Sequence, residues 1–281
     1  MHPFFLPGAA GTGHRLCLHH APAVGAARAL VLYLHPFAEE MNKSRRMAAL
    51  QSRALAAAGF AVLQIDLQGC GDSSGDFADA SWQGWLDDAA RGVEWLRNQH
   101  GADLPLWLWG LRAGALLAAQ AAAQLQGART NLLLWQPPAS GKTLLQQFLR
   151  LKTVGGLQGT AEAGSPARPS TDGLRRELLA QRVIDVAGYA LAPALALGLD
   201  AATLDLPDAV YRIVWAEVTS REPAALLPAS AARVQAWQGA GRAVETHTLR
   251  GPAFWQTQEI EDAPALIDAT VAALTREVVS V

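Results

Sequence analysis

The stretch "LWLWGLRAGALLAAQ", residues 106–120, decides the fold. An apolar run ends at Gly110, and an Ala- and Leu-rich segment follows from Ala113, which predicts a buried strand, a tight turn and a helix. The motif G-x-S-x-G places a nucleophilic serine on such a strand-to-helix turn, between two small residues. Gly110 and Gly114 supply those neighbours, but Arg112 stands at the position of the serine. A guanidinium is not a nucleophile, because it keeps its proton in proteins.

The composition is that of a globular protein. Hydrophobic residues make up 51% of the 281 residues and charged residues 17%, with a net charge of −2. Such a chain can bury a core and offers no basic footprint for nucleic acid. The two cysteines, Cys17 and Cys70, do not indicate a disulfide framework, and neither a signal peptide nor an apolar run of membrane-spanning length is visible. We therefore expect a cytoplasmic protein without a membrane span.

Strands and helices alternate along most of the chain. Short apolar runs predict strands at 29–35, 60–66, 105–110, 130–136, 211–218 and 243–249. Helical spacing of apolar residues predicts helices at 43–58, 81–100, 113–126, near 224–238 and near 262–277. This alternation predicts a mostly parallel sheet with helices on both faces, and residues 13–20 suggest an antiparallel edge hairpin.

Residues 139–205 interrupt this alternation. They include a Gly-, Ser- and Pro-rich stretch longer than a compact domain needs as a connector, and a helix-like segment, "VAGYALAPALALGL". We interpret 139–205 as a mainly helical cap inserted into a core formed by 1–138 and 206–281. The cap should cover the carboxyl edge of the sheet, and 155–173 should be the most mobile or protease-sensitive part of the chain.

Two further motifs occur upstream of the elbow, in the order that a known superfamily shows. "LYLHPF" (32–37) ends a strand with His35, where the amide of Phe37 can contribute to an oxyanion hole. "IDLQGCGDSSG" (65–75) resembles the Asp-x-x-Gly-x-Gly-x-Ser turn that follows a central strand in that superfamily. Together with the elbow, these motifs predict an α/β-hydrolase fold.

The other two members of a catalytic triad should follow as an acid and then a histidine. Glu217 ends a late strand and is the best-placed acid, with Glu222 close behind. The loop before the last helix has Ala253 where the histidine is expected, and His247 lies within a predicted strand. Two of the three triad positions therefore have the wrong chemistry, and we expect no histidine beside Glu217 in a triad-like arrangement.

One charged segment begins in the presumed oxyanion loop. "HPFAEEMNKSRR" (35–46) is either a solvated helix start, with glutamates near the helix N-terminus, or the source of a counter-charge for Arg112. We favour pairing with Glu39 or Glu40 over a bound anion as the partner of Arg112, and we expect residue 112 at φ > 0. The candidate pocket comprises His35, Phe37, Glu39, Glu40, Asn42, Arg112, Ala113 and Trp255.

Each candidate cofactor or metal motif in the sequence lacks a required residue. Gly141-Lys142-Thr143 lacks the earlier glycine of a phosphate-binding loop, because Gln136 stands there. The histidines have no matching cysteine or carboxylate at metal-ligand spacing. Cys70 lies near the presumed site, but no base is identifiable beside it. We expect neither a cofactor nor a metal.

Four stretches resemble the exosortase A system-associated hydrolase 2 family of bacterial α/β-hydrolase-like proteins. They are "LYLHPFAEEMNKSRRMAALQ", "VLQIDLQGCGDSSGDF", "LWLWGLRAGALLA" and "GPAFWQTQEIED", and the resemblance covers nearly the whole chain. It implies the α/β-hydrolase fold, a hydrolase assignment, and a link to exopolysaccharide and protein-sorting gene sets, with a protein of such a system as partner. It implies no triad here, since Arg112 and Ala253 depart from the superfamily pattern.

Three functional interpretations follow. The first is a protein that lacks serine-hydrolase chemistry and binds an anionic or acyl-bearing ligand, or a partner, in its pocket. The second is an active hydrolase or acyl transferase in which His35, Glu39 or Glu40 activates water beside Arg112. The third is a scaffold with a vestigial pocket.

Overall fold

The computed structural model describes residues 1–125, 129–155 and 170–276. The strands are β1 His2–Pro7, β2 His14–His20, β3 Ala29–Leu34, β4 Phe60–Ile65, β5 Leu106–Leu111, β6 Thr130–Trp135, β7 Ile184–Val186, β8 Tyr189–Leu191, β9 Val210–Thr219 and β10 Val244–Arg250. The helices are α1 Glu39–Ala57, α2 Trp82–His100, α3 Ala113–Gln124, α4 Gly141–Gly155, α5 Thr171–Leu179, α6 Pro193–Ala201, α7 Pro228–Gly239 and α8 Pro264–Thr275.

Eight of these strands form one sheet in the order β1-β2-β4-β3-β5-β6-β9-β10. Six neighbouring strands, β4, β3, β5, β6, β9 and β10, run parallel. Strand β2 runs antiparallel to both of its neighbours, β1 and β4, so β1 has the same direction as those six strands. This sheet, with helices against it, is the α/β-hydrolase fold, and the expected fold class is confirmed. The carboxyl ends of the parallel strands meet along one edge, where open α/β sheets bind ligands.

The sequence interpretation was right about an antiparallel hairpin at the edge of the sheet but wrong about its extent. Residues 14–20 form only its second strand, β2, which pairs with β1 on one side and with β4 on the other. The edge strand β1 was missed because "HPFFLP" contains two prolines, which normally argue against a strand. An edge strand tolerates them, because one row of its backbone groups needs no partner strand.

The central strands are buried on both sides. All six residues of β3, β5 and β6 are buried, which explains their continuous apolar runs. Alternate residues of β5 serve two cores, because successive side chains point to opposite faces. Leu106 and Leu108 pack in the core that includes α2 and α3, whereas Trp107 and Trp109 pack in the core that includes α1 and α8.

Two helices begin elsewhere than predicted. Helix α1 starts at Glu39 rather than Lys43, which places Glu39 and Glu40 in its first turn, where the helix dipole favours acidic side chains. Helix α7 starts at Pro228 rather than near residue 224, because proline fits the first helical position, which needs no N–H donor.

The chain between β6 and β9 contains α4, α5, the two-stranded sheet β7–β8, and α6. The expectation of one helix-like segment through 186–199 was wrong, because Ala187 and Gly188 form a hairpin turn with φ of 50° and 85°, and the helix begins only at Pro193. Helix α4 packs against α6 and contacts α3. Residues 156–169, most of the segment expected to be mobile, lie outside the described residues.

Candidate functional site

Arg112 occupies the tight turn between β5 and α3, with φ 55° and ψ −116°. Its amide donates to the carbonyl of Trp135 at 3.0 Å. The flanking glycines explain the turn, since a Cβ on Gly110 would collide with the backbone of Gly114, and a Cβ on Gly114 would collide with the carbonyl oxygen of Leu34. The turn geometry expected for residue 112 is therefore present, and it holds an arginine at the carboxyl edge of the sheet.

The guanidinium of Arg112 is paired with Glu40. Its Nη2 lies 3.2 Å and its Nε 3.3 Å from Glu40 Oε1, and Nη2 also donates to Gln147 Oε1 at 3.3 Å. The side chains of Arg112 and Glu40 are 12% and 20% exposed, and the guanidinium carbon lies 5.9 Å from the centre of the Trp255 ring. Gln256 Nε2 donates to the same Glu40 oxygen at 3.3 Å. The positive charge at position 112 is therefore compensated within the protein.

Glu39 is held differently. Its Oε2 accepts from the Tyr189 hydroxyl at 2.9 Å and from Asn42 Nδ2 at 3.1 Å. Burial, with the nearby Glu39 carboxylate, raises the pKa of the Tyr189 hydroxyl well above its ordinary value, so this hydroxyl remains a donor. Glu39 thus links the start of α1 to the hairpin β7–β8.

His35 is buried in the loop between β3 and α1. Its Nε2 accepts from the Leu67 amide at 3.2 Å, which places the ring proton on Nδ1, 2.8 Å from the Pro36 carbonyl oxygen. Burial lowers the pKa of the imidazole, so the ring is neutral at pH 7. Backbone groups therefore engage both ring nitrogens, and neither is available to activate water.

The expected acid, Glu217, is buried at the end of β9. Its carboxylate accepts from Trp215 Nε1 at 2.9 Å and from the Leu227 amide at 3.1 Å. His247 lies in β10 and contacts Glu245 at 2.9 Å instead. Within the described parts of the chain, no histidine hydrogen-bonds to Glu217.

The remaining sequence-predicted residues lie apart from any proton-transfer arrangement. Ala253 lies in the loop after β10 and packs against the core that includes α1 and α8. Glu222 forms an exposed ion pair with Arg250 at 3.3 Å. Cys70 is buried, and burial raises the pKa of its thiol, which keeps it protonated.

Two cavities lie near Arg112. Cavity A, about 410 Å³, is lined by Phe37, Ala38, Glu39, Glu40, Lys43, Leu144, Gln147, Phe148, Leu151, Ala187, Trp255 and Gln256. Cavity B, about 570 Å³, is lined by Arg112, Gln136, Pro137, Pro138, Ala139, Thr143, Leu144, Gln147, Leu204, Trp215, Leu227, Ala229, Ser230, Ala232, Arg233, Ala236 and Trp237. Leu144 and Gln147 belong to both walls, so the bond from Arg112 to Gln147 lies where the two cavities adjoin.

The candidate residues from the sequence divide between these cavities. Four of them line cavity A, namely Phe37, Glu39, Glu40 and Trp255, and Arg112 lines cavity B. The other three, His35, Asn42 and Ala113, line neither cavity. Sequence reasoning missed Gln147, Tyr189, Gln256 and nearly all of cavity B. Of these, only Gln256 gave a signal, since it follows Trp255 in a loop already singled out.

Neither a metal site nor a membrane-spanning helix is present among the described residues. Across the three described ranges, no three His, Cys, Asp or Glu side chains come together as a metal site would require. None of the described helices combines the length and the apolar character needed to cross a membrane.

Comparison with known proteins agrees with this architecture. The model of the Hydrolase_4 family, described as serine aminopeptidase, S33, matches residues 25–168. Human protein ABHD12B is 32% identical over 110 residues, which cover 39% of this chain and only 29% of that relative.

Two esterase structures share the fold along nearly their whole length. A thermostable carboxyl esterase from Bacillus coagulans has a TM-score of 0.62 at 16% identity, with 98% of this chain and 96% of that chain covered. The esterase Est1E from Butyrivibrio proteoclasticus, bound to ferulic acid, has a TM-score of 0.63 at 16% identity, with 93% of each chain covered. The chain thus belongs to the Hydrolase_4 family of α/β-hydrolases.

Proposed function

We propose that this protein is a ligand-binding member of its family that does not perform serine-hydrolase turnover, and that cavity A takes an uncharged acyl or other apolar ligand. The observation that carries the proposal is the side chain of Arg112, which stands in the nucleophile turn with its guanidinium paired to Glu40.

The residues that serine-hydrolase turnover requires, a nucleophile and a histidine base, are absent from the positions where the described structure would place them. Residue 112 supplies no nucleophile, and the hydrogen bonds of Glu217 go to Trp215 and Leu227 rather than to a histidine. Loss of triad members costs several powers of ten in rate. The alternative, in which His35, Glu39 or Glu40 activates water, has little support, because both ring nitrogens of His35 and both carboxylates are already engaged.

The charges of cavity A are satisfied by the protein. Glu40 is paired with Arg112, Glu39 accepts from Tyr189, and Lys43 Nζ donates to the carbonyl of Thr257 at 2.7 Å. A charged ligand would have to displace one of these partners. The remaining wall is largely apolar and includes Phe37, Leu144, Phe148 and Leu151, so an uncharged acyl group fits cavity A better than an anion does.

The cap and the biological setting complete the proposal. We retain 139–205 as a cap, since α4 and the hairpin supply Leu144, Phe148 and Ala187 to cavity A. The resemblance to the exosortase A system-associated hydrolases suggests a cytoplasmic protein of an exopolysaccharide and protein-sorting system, with a protein of that system as partner.

Binding and turnover of neutral esters test the proposal. Titration calorimetry with methyl hexanoate should show saturable binding that Leu151→Asn weakens about tenfold, because an amide then faces the apolar cavity. Leu179→Asn is the matched control, since Leu179 is an exposed leucine of α5 that does not line cavity A. Release of 4-nitrophenol from 4-nitrophenyl butyrate should be the same for the wild type and Arg112→Ala. Turnover by the wild type that Arg112→Ala abolishes would establish an active enzyme, and absence of binding would indicate a vestigial pocket.

A further inference from the structure

Cavity B has a wall of unpaired hydrogen-bond donors. Among the described residues, Arg112 Nη1, Gln136 Nε2, Gln147 Nε2, the Ser230 hydroxyl and Trp237 Nε1 form no hydrogen bond. The amide oxygens of the two glutamines are fixed, since Gln136 Oε1 accepts from the Val218 amide at 3.0 Å and Gln147 Oε1 accepts from Arg112. Their NH₂ groups are therefore the atoms left to bind a ligand.

Ser230 and Trp237 present their donor atoms to this wall. Their side chains are only 7% and 8% exposed, so most of each is withdrawn from bulk water. The Ser230 hydroxyl and Trp237 Nε1 themselves stay accessible, since neither is among the fully buried side-chain atoms that lack a hydrogen-bond partner. An acceptor atom of a ligand in cavity B can therefore reach them.

The charged side chains that line cavity B have one sign. Arg112 and Arg233 line it, and no carboxylate does. Glu40 occupies the Nε and Nη2 side of Arg112 and leaves Nη1 unpaired. Arg233 has only a loose ion pair with the exposed Asp205, at 3.6 Å, which solvent screens. The guanidinium groups of Arg112 and Arg233 are therefore the charges that line the cavity, whereas the Glu40 carboxylate is held by Arg112 and the Glu217 carboxylate by Trp215 and Leu227.

The rest of the wall is apolar. Pro137, Leu204, Trp215 and Leu227 face the same space, whose volume of about 570 Å³ lies in the range of small-molecule sites. We infer that cavity B binds an organic oxyanion, a carboxylate or a phosphate monoester with an apolar body, through Arg112 Nη1, Arg233 and the Ser230 hydroxyl. This site is separate from the ligand of cavity A and does not depend on it.

Titration calorimetry with phenyl phosphate and benzoate tests the inference, with benzyl alcohol as the uncharged analogue and inorganic phosphate as the anion without an apolar body. At least one of the two aromatic anions should bind, at least tenfold more tightly than benzyl alcohol and inorganic phosphate. Ser230→Ala and Arg233→Gln should each weaken that binding about tenfold, because each removes a donor to a charged group. Glu40→Gln should strengthen it, because Arg112 then no longer shares its charge with a carboxylate.

The controls separate this site from its alternatives. Arg250→Gln removes an arginine outside the cavity and should leave the affinity within twofold. Two results would overturn the inference. The first is an affinity for the aromatic anion that neither Ser230→Ala nor Arg233→Gln changes, and the second is inorganic phosphate that binds as tightly as phenyl phosphate. Either result would mean that the protein binds an adventitious ion only. Leu151→Asn, which impairs cavity A, should not affect phenyl phosphate, so the two proposals fail independently.

Discussion

Removal of the Arg112 guanidinium should destabilise the fold by a measurable amount. Arg112→Ala leaves Glu40, which is only 20% exposed, with Gln256 as its remaining side-chain donor among the described residues. Breaking a fully buried pair costs about 3–5 kcal/mol, and the partial exposure of this pair lowers our expectation to about 2–3 kcal/mol. For a chain of this length, that loss corresponds to a decrease of about 4 °C in the melting temperature.

A comparison of two variants at position 112 separates the effect of the ion pair on stability from that of backbone strain. Alanine at φ 55° keeps the strain of a left-handed residue, whereas glycine adopts this conformation without it. Arg112→Gly loses the same ion pair but should be about 1 kcal/mol more stable than Arg112→Ala. Differential scanning calorimetry of the two variants therefore separates the contribution of the side chain from that of the turn.

A double-mutant cycle identifies the glutamate that pairs with Arg112. Arg112→Ala combined with Glu40→Gln should show a coupling energy of about 1–2 kcal/mol. The matched cycle with Glu39→Gln should show none, because Glu39 is held by Tyr189 and Asn42. Equal coupling to the two glutamates, or no coupling to Glu40, would refute the assignment of the ion pair.

Three further predictions concern turnover, pH and the hairpin. Arg112→Ser should not hydrolyse 4-nitrophenyl butyrate, because Ala253 supplies no base; turnover blocked by a serine-reactive phosphonate would contradict this. Burial lowers the pKa of His20 to about 4, so the unfolded chain binds one more proton there below pH 6.5, and His20 should reduce stability between pH 6.5 and 4 by about 1.4 kcal/mol per pH unit, in addition to the effects of His19 and His35. His20→Gln should reduce the slope of the stability curve in that range by this amount, and an unchanged slope would exclude His20 as a contributor. Tyr189→Phe should speed hydrogen exchange in β7–β8 and leave the central strands unchanged; exchange accelerated equally in β5 would argue for global destabilisation instead.

The parts of the fold that depend on local chemistry were predictable. Strands β3, β5 and β6 are buried on both faces, and their continuous apolar runs express that burial directly. The turn at Arg112 was predictable as well, because Gly110 and Gly114 are required by close backbone contacts.

Other features depend on geometry that sequence patterns do not encode. Glu39 and Glu40 are adjacent on α1 and differ by about 100° around the helix axis, so only the structure shows which one meets Arg112. The hairpin β7–β8 was missed because a segment rich in alanine and leucine satisfies a helical pattern too; the turn residues Ala187 and Gly188 were its signal. Cavity B draws on residues from five separate parts of the chain (112, 136–147, 204, 215 and 227–237), which no periodicity brings together.

The crowding at Gly110 and Gly114 has a consequence for engineering. The turn is built by the residues that flank position 112, so the side chain at that position can be exchanged without redesign of the backbone. A saturation library at residue 112 should therefore yield mostly folded proteins, each of which presents a different functional group between the same two cavities. Position 112 is therefore suitable for the introduction of non-natural amino acids, such as one with a metal-chelating or photoreactive side chain.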